Sequence, residues 1–496
     1  SGEVIPEADP KGLDHIFTFF AMGTRRTAFK DVEAVHPASY LKIQLREDGQ
    51  MADISERRYW DLDFPDRGDE RDPRDGNALQ EEFEATFKRA VEIRLRADVP
   101  VVGYLSGGVD STTVMLTASK IKGEPVPAFT IQIAAEGFDE TERALLAAKR
   151  MGSHPTIAHC DSAAISEAYP QLIEAAESPV IDTSCSALYI LAGEVRKQGY
   201  KVALTGEGAD EWLVGYPWVK QSQMLGMFDY GNFSPGNFVR RWALRRNSPE
   251  IPWSDILKIQ DRIGGPNGFG DLYSIVGLTR HRFYSDEMWR GVGEHTAWDD
   301  LDLNLEGLRR WHPQNRAIYL GTKVMLAGLL MNQKGDRPTM HNSVEARYPF
   351  LDLNVINLCA KLHPRWKLRG LRRDKHLLRL YAAKILPKSI ANRPKAPFRA
   401  PFANTFFDSP PPYVDQLLSE ESLRKTGYFD ADKVLHYRKI YNQYKWRDSG
   451  KKLVAEMGLA GVVATQIWHH KYLGGGLCDL PQWTPTNTSS DNPLTV

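Results

Sequence analysis

The chain has 496 residues, 42% of them hydrophobic and 25% charged, and its 63 basic and 63 acidic side chains balance to a formal net charge of zero. That is an ordinary globular composition with room for ~2–4 domains, and with no net field it argues against nucleic-acid partners and anionic membranes. No apolar run approaches the ~20 residues needed to span a bilayer.

The N-terminus, Ser1-Gly-Glu-Val-Ile-Pro, has no basic stretch followed by an apolar one, so it does not read as a secretory signal. It lacks an initiator Met and reads as a processed or truncated chain. Residues 12–60 read as a small β-containing segment, in which Ser39-Tyr-Leu-Lys-Ile-Gln-Leu45 alternates as a half-buried strand does. Residues 61–76, DLDFPDRGDERDPRDG, are charged and broken by Pro and Gly, which predicts an exposed linker. Asn77 is the expected N-cap of a helix whose Leu79, Phe83, Phe87, Val91 and Leu95 form one apolar stripe. Strands are expected at 99–105, 128–133, near Ile157 and at 201–205, with helices at 112–122 and 140–151 and two more before the last strand. Strands alternating with helices mean βαβ units and a parallel sheet, with ligands at the C-terminal strand ends. Residues 217–470 read as mostly helical, and 474–496 as a loosely ordered tail. Cys160, Cys185, Cys359 and Cys478 form no CxxC pair and read as reduced thiols of a cytoplasmic protein. The 13 histidines show no HExxH-like spacing, and none is given a catalytic or metal role.

Two strand ends carry chemistry. In Leu105-Ser-Gly-Gly-Val-Asp-Ser111, Gly107 and Gly108 let the backbone approach an anion, and the helix that follows offers free N–H groups. Ser106 and Ser111 add hydroxyls. Asp110 would repel phosphate unless a cation intervened, and Mg²⁺ is the natural one. The loop lacks GxxxxGK(S/T) spacing, so it is not a Walker A loop. The alternative is a plain Gly-rich turn with an N-cap; the strand before and helix after weigh against it. The second loop, Leu204-Thr-Gly-Glu-Gly-Ala-Asp-Glu-Trp212, holds Glu207, Asp210 and Glu211. It could be a solvated acidic turn. Beside a phosphate loop, one carboxylate can complete a Mg²⁺ site and another can take a proton from an attacking amine.

SGGxDS resembles the signature of the PP-loop ATP pyrophosphatases, which implies release of pyrophosphate from ATP and activation of a substrate as its adenylate. TGEGADE is similar to the (S/T)GEGxDE loop of the asparagine synthetase family. Glu177-Ser-Pro-Val-Ile-Asp182, Asp336-Arg…Ser343-Val-Glu-Ala-Arg-Tyr-Pro-Phe-Leu-Asp352, Arg372-Arg-Asp-Lys-His-Leu-Leu-Arg379 and Asn392-Arg-Pro-Lys-Ala-Pro-Phe398 resemble other family stretches, in family order, over roughly residues 80–470. The resemblance implies Mg²⁺ ligands at Asp110 and Asp210, an amide-forming glutamate at Glu207, charge-stabilising lysines at Lys395 and Lys375, and an adenosine site lined by Leu105, Ile131, Thr205 and Gly206. Lys375 and Lys395 also have a plain reading, as solvated members of a basic helix and loop. Glu345 and Arg347 read as a structural ion pair.

Thr27-Ala-Phe-Lys-Asp-Val32, His36-Pro-Ala-Ser-Tyr-Leu41 and Tyr59-Trp60 resemble the end of the family's N-terminal glutaminase domain. No cysteine precedes Cys160, so the usual glutaminase nucleophile is missing from the sequence. Trp212-Leu-Val-Gly-Tyr216 stands where the family usually has LFGGY, which puts the backbone at Val214 in question. The expected organisation is therefore a glutaminase-like remnant at 1–60, a linker at 61–76, an ATP-pyrophosphatase synthetase domain at 77–473 and a tail. The expected fold is α/β: a parallel sheet with flanking helices, a mostly helical C-terminal part and a small N-terminal β segment. The expected activity is adenylation of a carboxylate, by default the aspartate side chain, followed by attack of ammonia or another amine. A glutaminase domain or subunit and a homodimer are compatible with this reading. The competing readings are a β-lactam-synthetase-like or peptide-macrocyclising ligase, a tRNA-modifying enzyme and a non-catalytic nucleotide-binding subunit.

Overall fold

The computed structural model describes residues 5–73, 75–134, 139–226, 235–239, 242, 253–270, 279–394, 405–444 and 449–481. The chain opens with helix α1 (Pro10–Phe19), capped by the Asp9 carboxylate accepting from the Lys11 amide. Strands β1 (Ser39–Leu45) and β2 (Met51–Arg58) follow as an antiparallel pair. Helix α2 (Gly76–Arg94) leads into strand β3 (Val101–Tyr104), helix α3 (Val109–Lys122), strand β4 (Ala128–Ile133), helix α4 (Thr141–Met151), strand β5 (Thr156–Cys160), helices α5 (Ser162–Ala176) and α6 (Ser184–Lys197), strand β6 (Val202–Leu204) and the short helix α7 (Ala209–Leu213). Much later the chain returns to the sheet as β7 (Glu345–Arg347).

The five strands β3 to β7 form one parallel sheet in the order β5-β4-β3-β6-β7. It is covered on both faces, which is why its strands read as apolar runs rather than alternations. Successive residues take opposite sides: Val101, Val202 and Leu204 enter the main core, whereas Val102 and Ala203 join Phe129, Ile131, Leu191 and Val195 in a second cluster. β3 and β6 are neighbours, so the loops leaving their C-terminal ends are neighbours too. Here the expected α/β class, parallel sheet and mostly helical C-terminal part are all present. Among the described residues, no helix is long and apolar enough to cross a membrane.

Several local expectations change. Helix α2 is capped by Asp75, whose carboxylate accepts from the Asn77 amide, not by Asn77 itself. The difference is physical: Asp75 has the extended backbone a cap needs, and Asn77 is already inside the helix. Residues 61–76 are not simply exposed, because Leu62, Phe64 and Glu70 are buried and Phe64 packs edge-on to Trp311 at 5.3 Å. β1 forms where a strand was expected and pairs with β2, which the pattern did not single out; both are largely exposed rather than half-buried. Helix α1, which alternation did not reveal, sends Leu13, Ile16 and Phe17 into the main core. Its buried Asp14 accepts from Arg280 and Tyr284, and His15 meets Asp300 at 2.8 Å. Of the tail, residues 474–481 are placed, with Leu477 buried; the rest lies outside the described residues.

The α2 stripe anchors the sheet to the segment after β7. Phe87 is fully buried, 4.6 Å from the Phe350 ring and 5.9 Å from Tyr381. Phe87→Ala should therefore cost roughly 3–5 kcal/mol of stability. Denaturant unfolding of the variant would measure it, and a loss below ~1 kcal/mol would show that this stripe does not bear the packing described.

Candidate active site

The two loops meet. A Cβ placed on Gly206 would lie 2.7 Å from the Ser111 amide nitrogen, so only glycine permits this approach. Gly107 has φ +70°, and a Cβ there would fall 2.4 Å from the Arg143 carbonyl carbon in α4. The phosphate loop is tied internally: Ser106 Oγ lies 3.0 Å from Ser111 Oγ, and the Gly108 amide donates to Ser106 Oγ at 3.3 Å. Above it, Arg393 donates to the Gly107 carbonyl at 2.5 Å.

One cleft is lined by Leu105, Ser106, Gly108, Asp110, Ser111, Ile131, Thr205, Gly206, Glu207, Asp210 and Lys375. Of the residues singled out in the two loops and at Ile131, Lys375 and Lys395, all are in its wall except Gly107, which lies in the same loop, Glu211, and Lys395, which lies outside the described residues. Arg393 and Pro394, just before Lys395, do line the cleft. The apolar end is made by Tyr104 of β3, Phe129 and Ile131 of β4, and Leu188 and Leu191 of α6.

Lys375 is the hub. It is fully buried, and its Nζ lies 2.5 Å from Asp110 Oδ2 and 2.6 Å from Asp210 Oδ1. The solvated-lysine reading of Lys375 therefore does not hold. Its backbone sits at φ +49°, in the left-handed region, with its amide donating to the Leu213 carbonyl at 2.9 Å. Arg379, one helical turn on, donates to the Ala391 carbonyl and pairs with Asp374 at 2.5 Å, which fixes the start of helix His376–Ile385. Opposite, Gly215 leaves no room for a side chain: a Cβ would fall 1.6 Å from Asp210 Oδ1 and 2.5 Å from Lys375 Cε. Val214, questioned from the sequence, adopts φ +61°, the conformation a glycine would take without strain.

The acids differ in environment. Burial, together with Asp210 and Glu207 nearby, pushes the Glu211 carboxyl up to about 8, although its Oε1 accepts from the Tyr216 hydroxyl. Asp336 is raised by burial and accepts from the Tyr348 hydroxyl at 2.9 Å. Glu207 is half-buried, with its amide donating to Thr205 Oγ1 at 3.3 Å. Glu345 and Arg347 do pair, at 2.8 Å, and Arg347 also donates to the carbonyls of Arg94 and Arg96.

The sequence reading missed Lys334, Tyr348, Arg143 and Arg393 in the cleft wall. Lys334 and Asp336 lie on a segment, Thr322–Asp336, wound as a π-helix, a form often found at functional sites. Lys334 Nζ is 3.6 Å from Asp182 of the quoted Glu177–Asp182 stretch. The Asp336-Arg motif marked this segment, but no local pattern distinguishes Lys334 from a solvated lysine.

The donor set suits Mg²⁺, which takes one or two carboxylates and completes its shell with substrate phosphates and waters. Asp110 and Asp210 already converge on a single cationic group. Among the described residues, no cluster of three or more His, Cys, Asp or Glu side chains forms an all-protein metal cage.

Comparison with known proteins agrees with this geometry. The asparagine synthase family model matches residues 82–470. An amidase of Penicillium rubens, chyE, is 27% identical over 437 residues, covering 82% of this chain and 64% of its own length. An amidase of Gibberella zeae, chry2, is 26% identical over 447 residues, with the same coverage of each chain. Asparagine synthetase [glutamine-hydrolyzing] 1 of Bacillus subtilis is 25% identical over 473 residues, covering 93% of this chain and 69% of the relative. The chain thus spans just under two thirds of the length of the two fungal relatives. With the family model extending over both loops, the Lys375 hub and the returning strand β7, the chain belongs to the asparagine synthase family.

Proposed function

We propose that the chain is an ATP-dependent amide-forming ligase that adenylates a carboxylate and passes the acyl group to ammonia or another amine. One observation supports this reading: Asp110 of the glycine loop and Asp210 of the acidic loop converge on one buried lysine, with Gly206 allowing the two loops to touch. In the first step a carboxylate oxygen of the substrate attacks the α-phosphorus of ATP, and the bond to pyrophosphate breaks. The Gly107–Gly108 backbone, Ser106 and Ser111 hold the phosphates, and Lys375 meets the charge that collects on the departing pyrophosphate. Mg²⁺, held by Asp110 and Asp210, would neutralise phosphate charge when bound. The apolar end near Ile131 and Leu105 takes the adenine. In the second step the amine nitrogen attacks the acyl carbon, AMP leaves, and Glu207 accepts the proton shed by nitrogen. By resemblance, Lys395 meets developing charge on the reacting centre and pyrophosphate. Aspartate with ammonia is the default pair.

A second reading keeps the activation step and changes the amine. Glu207 leans against ring closure within the substrate, because the related β-lactam synthetases carry a tyrosine at that position. The nitrogen supply is a third proposal: the exposed β1–β2 ribbon and the glutaminase-like stretches before Trp60 support a glutaminase unit as partner.

Glu207→Gln should retain ATP–pyrophosphate exchange while amide formation slows by ~10²–10⁴. Full amide yield with free ammonia in that variant would remove Glu207 from the reaction. Asp110→Ala should abolish exchange, and unchanged pyrophosphate release would refute the cation assignment. Exchange assayed across aspartate, other amino acids and small carboxylic acids identifies the acceptor; silence with all of them, but activity with tRNA, would overturn the proposal.

A further inference from the structure

Five basic side chains line the cleft: Arg143, Lys334, Lys375, Arg379 and Arg393. Three of them are held by carboxylates. Lys375 is shared by Asp110 and Asp210, Arg379 pairs with Asp374, and Lys334 meets Asp182. The other two are not neutralised in this way. Arg393 donates to the Gly107 carbonyl, a group without net charge, and among the described residues it makes no ion pair. Arg143 has Glu140 Oε1 near it at 3.6 Å, too long for a hydrogen bond.

Both arginines adjoin the phosphate loop at one residue. Gly107 packs on the Arg143 backbone, where a Cβ would fall 2.5 Å from the Arg143 carbonyl oxygen, and the Gly107 carbonyl receives Arg393. Each guanidinium therefore feels the other. Burial and the Arg143 charge both lower the Arg393 guanidinium from its usual range, while Glu140 acts in the opposite sense. Like charges so placed repel, and an anion between them removes the repulsion. The planar fork of arginine can give a phosphate two parallel hydrogen bonds. The Arg143 side chain is 47% exposed, so it is open to a ligand.

We propose that Arg143 and Arg393 form a clamp for the outer phosphates of ATP and hold the pyrophosphate unit as it departs. The assignment rests on the ligase reading, in which the adenine lies near Ile131 and Leu105 and the glycine loop is left for the phosphates. It adds a division of labour. The charge of Lys375 is already offset by two carboxylates before any phosphate arrives, so the arginines supply the positive charge that the wall has in excess. Arg143 stands on α4, outside every stretch that carries the family resemblance. Arg393 has a second task, because its bond to the Gly107 carbonyl fixes the orientation of that peptide.

The test titrates inorganic pyrophosphate with MgCl₂ into the full chain by calorimetry. Arg143→Ala and Arg393→Ala should each weaken its binding by ~10–10²-fold, the range of one charge-assisted contact. Arg143→Lys should recover part of the loss, since the charge returns without the fork. Adenosine, which carries no phosphate, should bind all three variants as it binds the wild type. In ATP–pyrophosphate exchange the KM for pyrophosphate should rise by a similar factor, while that for the carboxylate stays. On the wild-type chain, pyrophosphate should slow modification of Arg143 by phenylglyoxal, mapped by mass spectrometry, and adenosine should not; this arm stands if a variant fails to fold. Unchanged pyrophosphate affinity in either alanine variant, an equal loss of adenosine affinity, or a modification rate indifferent to pyrophosphate would each overturn the clamp. If exchange proceeds with ordinary pyrophosphate dependence in both variants, the ligase reading stands and the clamp falls. If both weaken pyrophosphate but no carboxylate supports exchange, the clamp survives and the ligase reading falls.

Discussion

The structure around the cleft depends on one buried ammonium. Lys375 has no exposure, and a buried charge of this kind is tolerated only when paired. It is paired twice, with Asp110 from the phosphate loop and Asp210 from the acidic loop. Three segments far apart in sequence are thereby pinned to one point. The scaffold is built to deliver them there. Adjacent parallel strands bring the first two loops together, and the left-handed backbone of Lys375 turns the third toward them. Gly206 and Gly215 remove the atoms that would otherwise keep the segments apart.

The same constraint explains why substitution at one glycine is not a local matter. The space beside Gly215 is filled by Asp210 and Lys375 themselves, so added bulk there would press on both members of an ion pair. Arg379 works at one remove: by bonding to Asp374 and the Ala391 carbonyl it fixes the turn from which Lys375 projects. Lys220 reaches the same Asp374, tying the segment after α7 into the network.

Much of this was legible in the sequence. The strand–loop–helix pattern around Gly107 and the acids at Glu207 and Asp210 located both loops, because hydrophobic runs, glycine and carboxylates act locally. Asp75, Lys334, Arg143 and helix α1 were not legible, for different physical reasons. Asp75 and Asn77 are both good capping residues, and only the backbone angles decide between them. Lys334 and Arg143 matter through tertiary placement, which leaves no periodic trace. Helix α1 carries buried Asp14 and His15 among its apolar residues, so its pattern is masked by charges that find partners on distant segments. The ribbon at residues 39–58 shows the converse. Alternation located its first strand, but alternation cannot say whether anything covers it.

Val214 illustrates a balance between backbone and side chain. A β-branched residue in the left-handed region costs roughly 1–3 kcal/mol, yet burying its side chain returns roughly 1.5–3 kcal/mol. Its side chain is 1% exposed and stands in the wall of a small cavity. Burial thus offsets the backbone cost of valine at this point. A glycine here would give up that buried surface for backbone freedom and would widen the space that Val214 lines beside Asp210 and Tyr216.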